Sequence, residues 1–189
     1  MKGLNTATRI IARILEISHW VGACIMAVLL VCCVFFKDLA AGMIAGGYTG
    51  EDTIYGFRFS LAGADGVSLS IPALTVFAVA GIILFALVAM VFRNVYLIIK
   101  TTEGKTWFSQ GATPFQPDVI RMLREIGIFT IAVPIVSLIM SIVARLAAGP
   151  EFAETSVDLG SFVLGLLVLW LTQQFTYGAE LQRQSDGLI

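Results

Sequence analysis

Charge is scarce in this sequence. Asp, Glu, Lys and Arg make up 13% of its 189 residues, about half the roughly 25% of an average soluble domain. With 58% hydrophobic residues, such a chain cannot clothe a water-facing surface, so lipid is its expected solvent and an ordinary soluble enzyme is excluded. Histidine is scarcer still. His19 stands alone, which excludes bis-histidine haem and multi-histidine metal sites. Lying beside Trp20 and one turn after Glu16, it reads as an interfacial anchor rather than a pH sensor or catalytic group. Cys24, Cys32 and Cys33 fall in one apolar run without CxxC spacing. They read as small packing residues, with no disulfide framework and no cofactor implied. A net charge of -1 argues against direct contact with nucleic acid.

What the chain has in abundance is long apolar runs, and about 20 residues suffice to cross the roughly 30 Å hydrocarbon core of a bilayer. Four runs place spans at about 17–36, 72–99, 117–146 and 159–176. They are joined by an outer loop at 37–71 and an inner loop at 100–116, with a cytoplasmic tail at 177–189. The expected fold is an all-α integral membrane protein, a single four-transmembrane-helix bundle with a small extracytoplasmic β-hairpin between helices 1 and 2. Cytoplasmic flanks retain Lys and Arg. Nine of the twelve basic residues lie at the N-terminus, the 100–116 side and the tail, against Lys37, Arg58 and Arg145 on the other. That count puts both termini in the cytoplasm. The first apolar run exceeds a signal-peptide core, and Val31 occupies the position before Cys32 where a lipoprotein signal wants a small residue; an uncleaved span is expected.

The outer loop contains "TIYGFRFSLAGADGVSLSIPAL". Phe57, Phe59 and Leu61 alternate with smaller or polar residues, and Val67, Leu69 and Ile71 do the same beyond "AGADG". The pattern predicts a hairpin turning at Asp65 and Gly66. A lone hairpin is marginal, so its apolar face must rest on helix ends, headgroups or a partner. A capping lid is the leading reading of Phe57, Phe59 and Leu61, and a contact for a ligand or partner the second.

On the inner side, Pro117 suits the first position of a helix and Asp118 its positive end. Asp118, Arg121 and Glu125 share one face; Val119, Ile120, Leu123 and Ile126 share another. The third span is therefore expected to run on as one helix beyond the bilayer, with Pro134 bending it. Ser137 and Ser141, like Ser161 and Gly165, are small residues four apart that let helices approach closely. No span has an Asp, Glu, Lys or Arg at its centre, which describes a packed bundle better than a pore.

The order "GK-x-x-F", then "PF-x-x-D-x-x-x-x-L-R-x-I-G" leading into a span, and a final "YGAELQRQSDGLI" resembles the bacterial membrane family catalogued as domain of unknown function 2975. The matching positions include Gly104, Lys105, Phe108, Phe115, Leu123, Arg124, Gly127, Gly178, Gln182 and Asp186. Thr113 stands where the family reads Asn, and Gln116 where it reads a Ser or Thr cap, so a weaker cap is expected. The resemblance implies no established activity, and a small cytoplasmic helix-turn-helix regulator as a neighbour.

Three function classes follow. The first is a non-enzymatic sensor or anchor docking a regulatory partner through Lys105, Phe108, Phe115, Asp118, Arg121, Arg124, Glu125, Gln182 and Asp186. The second is a small transporter, channel or efflux subunit working as a homo-oligomer, with a structural assembly subunit beside it. An intramembrane enzyme comes last, since no nucleophile, base or metal set is visible.

Overall fold

In a computed structural model of the chain, residues 2–36, 51–60, 70–109, 113–154 and 158–186 are described. Four long helices dominate: α1 Lys2–Phe35, α2 Ile71–Thr102, α3 Pro117–Ala147 and α4 Leu159–Asp186. Each is long and apolar enough to cross a membrane, and the chain is a multi-pass membrane protein. Helices suit these runs because each bonds its own backbone groups where no water is at hand. All of them exceed the roughly 30 Å core at 1.5 Å per residue.

The helix ends have local causes. The Ala73 amide donates to Ser70 Oγ at 3.3 Å and the Leu74 amide to the Ser70 carbonyl at 2.9 Å, which starts α2. At its other end Gly104 takes φ +70, the Gly104 amide reaches the Thr101 carbonyl at 2.9 Å and the Lys105 amide the Lys100 carbonyl at 3.0 Å. That double closure is a Schellman motif, and the positive φ is why glycine stands there. α3 begins at Pro117 with Asp118 in its first turn and runs through Pro134.

The chain forms two compact units, Met1–Ser18 with Val88–Ile131 and Gly160–Ile189, and His19–Leu87 with Ala132–Leu159. In the first, α3 and α4 meet on glycines. A Cβ at Gly165 would stand 2.5 Å from Ile131 Cγ1 and 3.0 Å from its backbone nitrogen, and one at Gly127 would stand 2.7 Å from Leu169. Val119, Ile120, Met122 and Ile126 are buried, so the apolar face of the α3 extension is spent on packing.

The second unit holds a three-stranded antiparallel sheet in the order β1 Glu51–Ile54, β2 Phe57–Ser60, β3 Ala153–Glu154, the last preceded by a 3-10 turn, Pro150–Phe152. β1 and β2 are joined by the two-residue turn Tyr55–Gly56, with Ile54 opposite Phe57. Both turn residues have positive φ, 47 and 83, as a type I′ hairpin requires. This turn lies ten residues before the expected one. Residues 61–69, which hold Leu61, the Asp65–Gly66 turn and Val67 and Leu69 of the expected second strand, are outside the described residues. Ile71 itself opens α2.

Phe57 and Phe59 are buried, their rings 5.6 Å apart, and Phe59 packs on Phe77 of α2 at 3.9 Å. Arg58, on the opposite strand face, pairs with Glu154 across β3 at 3.2 Å. The turn reaches deep along the helices. Tyr55 packs on Phe85, near the middle of α2, and hydrogen-bonds His19, near the middle of α1. A Cβ at Gly56 would stand 3.7 Å from Ser137 Oγ in α3. His19, expected to anchor at an interface, lies with its ring between Tyr55 and Phe85 and hydrogen-bonds the turn.

Candidate functional site

The polar helix ends of the first unit carry most of the residues singled out in the sequence. Phe115, just before α3, packs its ring 5.7 Å from Phe175 of α4. Gly178 makes room for it, since a Cβ there would stand 2.6 Å from Phe115 Cε1. Thr113 ties the same segment to the C-terminal helix, its hydroxyl donating to Gln182 Oε1 at 3.3 Å, and accepts from the Phe115 amide at 3.3 Å. Gln116 sends its amide Nε2 back to the Thr113 carbonyl at 2.7 Å and is 2% exposed. Instead of the Ser or Thr cap expected of the resembling family, the chain has a buried amide that braces the loop.

Between these segments lies a groove of about 470 Å³, its walls including Thr113, Phe115, Pro117, Glu180, Gln182 and Arg183. Phe115 keeps 38% exposure at it. The groove therefore offers an aromatic edge, an amide and charges of both signs. Along α3, Arg121 is held weakly by Asp118 at 3.5 Å and Glu125 at 3.8 Å. Glu125 also accepts a 3.0 Å hydrogen bond from the buried Asn94 of α2. Asp118, Arg121 and Glu125 thus share a face, and Arg124 is exposed beside them. Asp186 closes α4.

Lys105 belongs to a different cluster. Its ammonium donates to Glu103 at 2.7 Å, and Arg9 of α1 donates to the same carboxylate oxygen at 2.8 Å. Nearby, Arg13 pairs with the buried Glu16 at 2.7 Å and lies 5.4 Å from the Tyr96 ring centroid. Phe108 packs edge-on against Trp107, which is 96% exposed. Sequence reasoning passed over Trp107, Glu103, Glu180 and Arg183. Trp107 carried a legible signal, a tryptophan in a polar loop; Glu103 became visible only through its pair with Arg9, and Glu180 and Arg183 only as walls of the groove.

The hydrogen bond from Lys105 holds the Glu103 carboxyl below its usual range, opposed by partial desolvation and aided by the charges of Lys105 and Arg9. A depressed folded value means that the tie is fully present above the ordinary carboxylate pKa of about 4.5 and is lost as pH falls through the folded value. Glu103→Gln is accordingly expected to speed amide hydrogen exchange in the Lys100–Lys105 turn at pH 7 and to remove its acid dependence. Equal exchange in parent and variant would contradict the tie.

Polar side chains along the spans mostly bond within their own helix. Thr130 donates to the Ile126 carbonyl at 2.7 Å, Ser141 to Ser137 at 2.9 Å and Thr172 to Val168 at 2.9 Å. Among the described residues no group of three His, Cys, Asp or Glu side chains converges where a metal ion would sit. Compared with protein-family models, with curated proteins and with solved structures, the chain gives no match.

Proposed function

We propose that the chain is a non-enzymatic sensor or anchor of the bacterial inner membrane, with both termini in the cytoplasm, that docks a cytoplasmic regulatory partner at the polar helix ends. The observation that carries this reading is the groove at Phe115, Gln182 and Arg183, flanked on α3 by exposed Arg121 and Arg124. The nine-to-three distribution of basic residues supports a cytoplasmic position for that end. Resemblance to the domain of unknown function 2975 family points to a small helix-turn-helix regulator as the partner. The outer side would then be the hairpin, whose turn is tied to α1 through His19. Since α1 is also held by the inner connection through Arg9 and Glu103, one helix touches both loops, which is what a sensor needs.

Arg121→Glu combined with Arg124→Glu is expected to cut partner capture from detergent extracts at least tenfold. Stability should stay nearly unchanged, because exposed charges contribute about 0–1 kcal/mol each. Topology must be checked in the same cells, since the change removes two orienting charges. Undiminished capture would sink the docking reading. The transporter reading, second in order, is favoured by the polar turn held at mid-helix by His19, and would take over if reconstituted protein moved a solute across liposomes.

A further inference from the structure

The first helix is built inside out. Arg9 turns onto Glu103 and Glu16 into a buried site, while Arg13, half exposed, pairs with Glu16 and lies over Tyr96. Its outward face is a continuous row of Ile10, Ile14, Ile17, Val21, Val28 and Val31, each between 51% and 62% exposed, with exposed Cys24 in the same row. The steps are alternately four and three residues, the spacing of a coiled-coil seam, and every member but Cys24 is β-branched.

Lipid accounts for only part of this row. α1 has 34 residues, about 51 Å at 1.5 Å per residue, so roughly 20 Å of it must project past a hydrocarbon core of about 30 Å. The projecting part is the polar end. There Arg9 and Arg13 meet Glu103 and Tyr96, while α3 exposes Arg121 and Arg124 and α4 exposes Gln182 and Arg183. At that same end α1 exposes Ile10, Ile11 and Ile14. Aliphatic side chains in a row outside the hydrocarbon call for protein cover.

We infer that the row is a homodimer seam, along which α1 packs parallel to α1 of a second copy. A soluble partner could cover Ile10 and Ile14 but could not follow the row into the bilayer at Val21, Val28 and Val31. A second α1 can, because it has the same length, the same charge-free stripe and the same orientation in the membrane. The two-fold arrangement is self-complementary, each residue meeting its own counterpart. The inference is independent of what the polar end docks.

Cys24 supplies the test, because a seam position brings the two copies' Cα atoms within the roughly 4.4–6.8 Å that a disulfide spans. With Cys32 and Cys33 replaced by alanine, mild copper–phenanthroline oxidation of native membranes should convert most of the protein to a reducible species of twice the 20.4 kDa chain mass. A comparison cysteine at Ile139→Cys, on the exposed face of α3, should crosslink at least tenfold more slowly. Ile14→Lys, at an exposed position that leaves the monomer folded, should lower Cys24 crosslinking at least fivefold, with monomer integrity checked by gel filtration in detergent. Crosslinking at Cys24 no faster than at position 139, or unaffected by Ile14→Lys, would overturn the seam and leave lipid as its cover.

Discussion

Phe59→Asp is expected to be the most damaging single change outside the helices. Phe59 is 4% exposed and its ring lies 3.9 Å from that of Phe77, so truncation alone, as in Phe59→Ala, should cost about 3–5 kcal/mol. An aspartate adds an unpaired carboxylate in an apolar site, which costs more unless it takes up a proton. Thermal unfolding in detergent should show the aspartate variant melting well below the alanine variant and the parent. Arg58→Asp, next in sequence but on the exposed strand face beside Glu154, should change stability by less than about 1 kcal/mol, through a lost surface pair and a like-charge contact. Similar melting of both aspartate variants and the parent would mean that the sheet does not rest on α2.

Gly165→Leu is the comparable change within the helices. Hydrogen is all that fits at this position, because a Cβ would stand 3.0 Å from the Ile131 nitrogen and 3.1 Å from the Gly127 carbonyl oxygen, both backbone atoms that cannot swing aside. The helices would have to separate, losing the close approach that small residues permit in a membrane. Overpacking typically costs about 1–3 kcal/mol; contact with backbone on the facing helix puts this case at the upper end. Gly165→Ala should fall between parent and leucine variant. The readout is the melting temperature, together with the rate at which a cysteine at Leu169 is alkylated, which should rise as α3 and α4 part. A leucine variant as stable as the parent would show that the two helices do not meet here.

The helices were legible because hydrophobic run length is a one-dimensional signal that depends on no distant contact. α3 starts at Pro117, as the proline and Asp118 announce, and ends at Ala147, one residue past the expected limit. For α1 the span was expected from 17 with a helical lead-in from about Ile10, and the helix begins earlier, at Lys2. Arg9, Arg13 and Glu16 hid it: in the sequence they look like a solvated lead-in, and only the contacts with Glu103 and Tyr96 and the burial of Glu16 tie this part of the helix to the rest of the chain. The Tyr55–Gly56 turn was illegible for another reason. A tyrosine at positive φ costs about 1–2 kcal/mol, so nothing local announces it. The hydrogen bond to His19 and the packing on Phe85 hold it there. The docking residues divided on the same principle. Asp118, Arg121 and Glu125 share a face because helical spacing requires it, whereas the pairing of Phe115 with Gly178 and of Thr113 with Gln182 joins segments far apart in the chain.

Everything proposed about docking requires the polar helix ends to face the cytoplasm. The direct measurement uses single cysteines at Lys105 and at Asp65 in a cysteine-free background, treated on intact cells with a membrane-impermeant maleimide. The expected result is labelling at position 65 alone, with position 105 reacting only after the cells are opened. Labelling of intact cells at position 105, with position 65 protected, would place the groove on the outside and contradict the account.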